Sequence, residues 1–537
     1  MTRADVHCAA VLLALVACTN PNPPSHAPAT TMATAHGAAV AKIDPSANEI
    51  LDAWASAMGG RDAIDALGAL HAKGTYEKGG ISGTIELFVT PRGERREEIF
   101  LGPIHEVRVF DGTQGWLVDR NRYVRDLAGY ELDDVRTQVF REMFAALILD
   151  RRAGTVTRDG DKLVLAPEGS KRPDTVTFDR GTRLPETFVR RDAEKMRTTR
   201  WSDWNAVGGL KLPFTVREEN GNPNDSVTIH WKTLEHGNTT VGMFTKPAET
   251  AADAKLLNDP ATIPIELVYG GLIFVKVSIN DQPMSFVFDT GAEFTLINSS
   301  RVSKLGLQGV GTFATGAGGG DVVVSFVPHV TTKVGDASVS DQIVGAVLLD
   351  ALEGPLKRPV DGILGYDFIS RFVVEIDYVK QTMKLYDRAT YHHSGAGKPV
   401  ALTLEDSTPY FDAAIEVPSQ GDISGHFVLD TGCLCEVQLF TPFVDEHKLL
   451  TALPSAKQAG FTAGAGGTTK QLSATIPMLK VGGWGVPKAT ASLSRDTSGA
   501  TADPESAGLI GSLVFKQFVL VLDYKSKQAF LDPLPKP

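Results

Sequence analysis

Two aspartates stand at the ends of apolar runs, where a charge is costly to place. Phe286-Val287-Phe288 leads into Asp289-Thr290-Gly291-Ala292, and Phe427-Val428-Leu429 leads into Asp430-Thr431-Gly432-Cys433. A carboxylate buried without a partner takes up a proton instead of staying charged. Two of them brought together settle on sharing one proton, because like charges about 3 Å apart cannot both ionise. Such a pair can hold a water. The ionised member takes the water's proton while the protonated member polarises a carbonyl, which is hydrolysis by general acid–base catalysis without a metal or an acyl-enzyme. The glycines Gly291 and Gly432 accept the turn that aims each carboxylate. The hydroxyls of Thr290 and Thr431 can tie one loop to the other across a pseudo-twofold axis.

One Asp-Thr-Gly suits any turn, but these two copies share the same companions. Gly316-Ala317-Gly318 and Gly464-Ala465-Gly466 follow the aspartates at hairpin distance and could serve as mobile flaps over a substrate. Gly362-Ile363-Leu364-Gly365 and Gly508-Leu509-Ile510-Gly511 come next; Gly365 and Gly511 sit where a second segment must pass close behind each Asp loop. Each leads to an apolar strand, Phe372 to Tyr378 and Phe518 to Tyr524. The second half of the chain is therefore a duplicated unit with an offset of about 140 residues.

At 537 residues the chain exceeds one core, so about three domains are expected, and strand-like segments dominate. A net charge of −11 argues against a nucleic-acid binder. Of the four cysteines, Cys433 and Cys435 are two apart, too short a loop for an unstrained disulfide, so no structural disulfide is expected and core packing is the reading for both. No cluster has metal-ligand spacing, and neither metal nor cofactor is expected. His392-His393 reads as a solvated loop, and His426 as the solvated start of a strand.

In chain order, a short apolar run from Cys8 to Ala17 fits a secretory signal and is too short to span a bilayer. Residues 19–44 are Pro-, Ala-, Thr- and Ser-rich and form a flexible linker. Folding begins with a helix from Ser46, whose spacing to Glu49 suits a capping box, and Gly59-Gly60 ends it. Antiparallel strands follow, then an amphipathic helix over 132–149 and further strands to Trp231. Trp116, Trp201, Trp204 and Trp231 either fill a core or line a ligand site. The boundaries are 45–240 for this domain, 241–262 for a linker, 263–387 for the first repeat, 388–398 for a connection and 399–537 for the second repeat.

Three resemblances sharpen this reading. Leu15-Val16-Ala17-Cys18 resembles a bacterial lipobox, which implies residues 1–18 as a lipoprotein signal, acylation of Cys18 and an outer-membrane anchor facing the periplasm or cell surface. Asp111 to Trp116 and Gly208 to Pro213 resemble periplasmic lipoprotein-sorting carriers, which implies an α+β domain with a curved antiparallel sheet, an incomplete barrel, for 45–240. Asp289-Thr290-Gly291-Ala292 with Ile363-Leu364-Gly365, and Asp430-Thr431-Gly432 with Leu509-Ile510-Gly511, resemble retropepsin-type aspartic proteases. That resemblance implies a mainly β chain with two such lobes in tandem, Asp289 and Asp430 as the catalytic pair, a peptide or protein substrate, and a monomer that builds the whole site. The competing reading is a non-catalytic envelope lipoprotein that binds a lipid or peptide.

Overall fold

The computed structural model describes residues 11–12, 42–148, 151, 154–192, 195–317, 320–453, 457–464 and 467–534. Apart from Val11–Leu12, the signal lies outside the described residues, as do Cys18 and all but the last part of the 19–44 linker. The described chain is mainly β and divides into two compact units, Asn22–Thr250 and Ala251–Pro537 together with Met1–Pro21.

In the first unit, fourteen strands join in one sheet, antiparallel except where Lys42–Ile43 runs parallel to Gly154–Asp159. Helix α1 (Asn48–Met58) buries Leu51, Trp54, Ala55 and Met58 against it. The expected Ser46 capping box is not formed. Pro45–Ala47 is a 3-10 turn in which the Ser46 N–H donates to Asp44 Oδ1 at 2.9 Å, so the helix starts two residues later. Gly59 ends it at φ 128°, with Gly209 O only 2.4 Å from where a Cβ would sit.

The second expected helix is shorter than 132–149: α2 is Gly129–Glu142, and turns follow it. It buries charge as well as Val135, Val139 and Phe140. Arg125 donates twice to Glu131 at 2.6 and 2.7 Å, Arg95 twice to Glu142, and Arg141 to Asp174 at 3.2 Å. The tryptophans fill cores. Trp201 lies 4.5 Å from Phe188 and 5.9 Å from Trp204, and Trp116 packs with Phe88 and Val109.

The second unit holds two rings of strands with one topology. The first is built from β1 (Leu272–Ile279), β2 (Gln282–Phe288), β3 (Leu296–Asn298), β4 (Val310–Ala317), β5 (Gly320–Val334), β6 (Ala337–Val347) and β7 (Gly362–Leu364). The order β6-β3-β7-β2-β1-β5 closes through a β5–β6 pairing, with β4 hanging on β5. The second comprises β8 (Thr408–Val417), β9 (Gly421–Asp430), β10 (Val437–Leu439), β11 (Lys457–Gly464), β12 (Gly467–Val481), β13 (Trp484–Leu493) and β14 (Gly508–Gly511). Its order, β13-β10-β14-β9-β8-β12, closes through β12–β13, with β11 hanging on β12. A six-stranded antiparallel sheet joins the rings. Its middle pair is Phe372–Asp377 with Phe518–Asp523, in the register Val374↔Leu522 and Ile376↔Leu520.

Three expectations need correction here. The stretch 241–262 is not all linker: Ala254–Leu256 pairs with β6, and the buried Arg371 donates to Asp253 at 2.8–3.2 Å. His393 is not in a free loop but stacks on Phe530 at 3.8 Å, with Nε2 3.3 Å from Asp532. His426 is buried, not solvated. The β8–β9 register sets it opposite Asp412, whose carboxylate lies 2.9 Å from Nδ1; Nε2 is 3.3 Å from the buried Glu405, and Tyr410 stacks on the ring.

Two outcomes follow from these ion pairs. Glu131→Ala should destabilise the first unit by about 3 kcal/mol, because it strips a buried guanidinium of its bidentate partner. Urea unfolding followed by tryptophan fluorescence measures this, since five of the six tryptophans lie in that unit. For His426, burial opposes the charge, but Asp412 and Glu405 outweigh it and hold the imidazolium up to a pKa of about 9. The stabilisation this gives is complete below about pH 6.5, the unfolded value, and is lost as pH rises through about 9. His426→Phe should flatten that alkaline loss in melting experiments between pH 6 and 10.

Candidate active site

Each Asp loop is set by strands crossing behind it. In the first ring β2 runs parallel to β7 in the register Phe286↔Gly362 and Phe288↔Leu364, while β3 pairs with β7 from the other side. In the second, β9 runs parallel to β14 and ends with Asp430 opposite Gly511, while β10 pairs with β14. Gly365 and Gly511 are forced by this crossing. A Cβ on Gly365 would lie 2.4 Å from Phe294 O and 2.9 Å from Ala292 O. One on Gly511 would lie 2.4 Å from Cys435 O and 2.8 Å from Cys433 O.

The two loops grip each other reciprocally. Thr290 N–H donates to Thr431 Oγ1 at 3.1 Å, and Thr431 N–H donates to Thr290 Oγ1 at 2.9 Å. Each hydroxyl then donates to the strand before the opposite aspartate: Thr290 to Leu429 O at 2.6 Å and Thr431 to Phe288 O at 3.2 Å. All four bonds are buried, so breaking any one strands a polar group in the interior.

This grip brings Asp289 and Asp430 together, both completely buried and close enough for each to act on the other's proton affinity. The motif glycines are also packing requirements. A Cβ on Gly291 would sit 3.0 Å from the Asp430 carboxyl carbon, and one on Gly432 would sit 2.3 Å from that of Asp289. Asp289 Oδ1 accepts the Gly291 N–H at 2.8 Å, whereas Asp430 Oδ1 accepts two, from Gly432 at 2.8 Å and Cys433 at 3.0 Å. Oδ2 of each takes no hydrogen bond from the protein's donors.

Burial raises the proton affinity of both carboxyls. The charge of Asp430 raises Asp289 further, while the Asp289 carboxyl and the two amides pull Asp430 back. Both carboxyls are thus pushed toward the protonated form, Asp289 further than Asp430, and they titrate as a pair. Below it two phenols are pushed well up: Tyr378 by burial and the Asp430 charge, and Tyr524 by burial, Tyr366 and Asp289. A carboxyl pair with one proton and two outward oxygens can both take a proton from a water and give one to a carbonyl oxygen.

The residues expected to form flaps lie at the ends of two hairpin strands. Gly316 and Ala317 end β4 at a hairpin turn, paired with Asp321 and Gly320, and Gly464 ends β11 opposite Gly467. Gly318, Ala465 and Gly466 lie outside the described residues.

The expectation of no disulfide is overturned, because Cys433 and Cys435 are bonded to each other. The loop behind Asp430 curls so that their Cα atoms are 5.3 Å apart, inside the span that a disulfide bridges. Short spacing in sequence did not prevent this, since the curl is imposed by β14 crossing behind: Ser512 N–H and Oγ both donate to Cys433 O, at 2.9 and 2.7 Å. Ser512 and the Cys433 amide were not singled out from sequence, although a Cys-x-Cys directly after an Asp-Thr-Gly was a usable signal.

Among described residues no group of His, Cys, Asp and Glu is arranged to hold a metal ion. Among curated proteins none matches the chain. Residues 275–368, from within β1 to just past β7 and so including Asp289 and Gly365 but not Asp430, match the family described as aspartyl protease.

Proposed function

We propose that Ala251–Pro537 is an aspartic endopeptidase in which the two rings are the lobes of one retropepsin-like enzyme, complete within a single chain. The observation that carries this is the reciprocal threonine grip, which presses two buried carboxyls into one proton-sharing pair. In the reaction Asp430 takes a proton from the attacking water. Asp289 gives its proton to the peptide carbonyl oxygen, and the water's oxygen adds to the carbonyl carbon. The tetrahedral adduct then collapses: the amine leaves with the proton held by Asp430, and one hydroxyl of the adduct returns a proton to Asp289, which leaves a carboxylic acid and the pair as it began. Thr290 and Thr431 hold the loops, Gly291, Gly432, Gly365 and Gly511 let them pack, and the β4–β5 and β11–β12 hairpins serve as flaps.

Asp289→Asn and Asp430→Asn should each reduce hydrolysis of acid-denatured, fluorescently labelled casein by at least about a thousandfold, with circular dichroism unchanged. The wild type should show a bell-shaped pH profile. Its rate falls at low pH when both carboxyls are protonated and at high pH when the shared proton is lost. Near wild-type turnover by either variant would sink the pair.

The lipobox and the polar segment behind it support a second part of the reading: the mature protein is held in the cell envelope by an acylated Cys18. Mass spectrometry of membrane-fraction protein should find a diacylated or triacylated N-terminal Cys18. An unmodified N-terminus beyond it would end this assignment.

A further inference from the structure

The loop behind the second aspartate is closed on itself by a bond that its counterpart lacks. At the positions of Cys433 and Cys435 the first loop has Ala292 and Phe294, and the glycines behind the loops, Gly365 and Gly511, press on these equivalent pairs. We infer that the Cys433–Cys435 disulfide positions the Asp430 carboxylate, so that hydrolysis runs in the oxidised protein and is turned down when a dithiol opens the bridge. This rests on the aspartic protease reading above.

The bridge begins at the residue whose N–H separates the two carboxyls. Cys433 N–H donates to Asp430 Oδ1, whereas the N–H of Ala292 points to the backbone oxygen of Asp289 at 3.4 Å. The bridged loop is held on every side. Cys433 O takes two bonds from Ser512, Cys435 O takes the Leu513 N–H at 3.1 Å, and Leu434 between them is buried among Leu272, Phe274 and Val287 of the first ring. A bonded pair of sulfurs sits well inside the contact distance of two free thiols. Opening the bridge therefore needs room, and the β14 side offers none, since a Cβ on Gly511 would already lie 2.6 Å from Cys435 Sγ. Of these ties the Cys433 N–H is the one that ends on the Asp430 carboxylate, so a shift of the loop is felt there.

The chemistry balances with a dithiol as reductant. One of its thiolates attacks Sγ of Cys435, the less deeply buried of the two residues, and the bond to Cys433 Sγ breaks. The second thiol resolves the mixed disulfide. The dithiol leaves as a cyclic disulfide, and two electrons and two protons end on Cys433 and Cys435.

Loss of an N–H from a carboxylate raises its proton affinity. The titratable groups facing Asp430 are Asp289 and Tyr378, with Tyr524 and Tyr366 on the Asp289 side, and Tyr378 and Tyr524 stay protonated across the working range. A shift of the acid limb therefore reports Asp430.

The test uses the full chain, oxidised and after reduction by dithiothreitol, with mass mapping of the Cys433–Cys435 peptide to verify each state. Two readouts are followed: hydrolysis of labelled casein against pH, and the ¹³C titration of aspartate carboxyls, assigned by difference from Asp430→Asn. Reduction should lower kcat/KM about tenfold and raise the acid limb and the Asp430 titration by about one pH unit, as loss of one bond to a charged group does. Reoxidation should restore both, and the Cys433→Ser/Cys435→Ser double variant should copy the reduced state and ignore dithiothreitol. An Asp430 titration identical in the two verified states overturns the inference. Absence of hydrolysis in the oxidised protein, with the titration still shifting, would instead remove the enzymatic reading and leave the positioning role standing.

Discussion

A carboxyl group cannot stay ionised and alone in a dry interior, and the second unit is arranged around that constraint. Asp289 and Asp430 are completely buried side by side, each raised in proton affinity, and backbone amides donate to one oxygen of each. Everything nearby serves to keep them in contact. The threonine grip fixes the distance between loops, the motif glycines remove the atoms that would hold the carboxyls apart, and the crossing strands leave no space for the loops to retreat.

The two units handle buried charge differently. In the first, charges face opposite charges: Arg125 with Glu131, Arg95 with Glu142 and Arg141 with Asp174. Such pairs settle their own desolvation and are spectators that specify how α2 lies on the sheet. In the second, like faces like, which no structural need explains. That contrast is the physical reason to look for chemistry at the aspartates and not among the more numerous buried ions of the first unit.

What could be read from the sequence depended on range. The Asp-Thr-Gly copies, the paired Gly-x-x-Gly strands and the mainly β character are local signals, repeated in register, and they survive without knowledge of the fold. Features that arise where distant segments meet were missed or misjudged. His426 finds Asp412 across a strand pair and Glu405 across a second strand, so no window around residue 426 contains its environment. The start of α1 turned on Asp44 and not Ser46, a choice between neighbours that only the turn geometry decides. The disulfide was misjudged because the curl of its loop is set by β14, about 75 residues downstream, and not by the residue between the cysteines.

The central sheet has a consequence for the time at which the carboxyl pair comes into being. All the strands of the first ring lie between Leu272 and Leu364, so that ring can close soon after it leaves the ribosome. The strand that follows it, Phe372–Asp377, finds its neighbour only in Phe518–Asp523, and the grip on Thr290 comes from Thr431. Pairings this distant in sequence form late. During synthesis Asp289 is thus a lone carboxyl, without the Asp430 charge that raises its proton affinity in the finished fold, and the pair comes into being only when the second ring is docked.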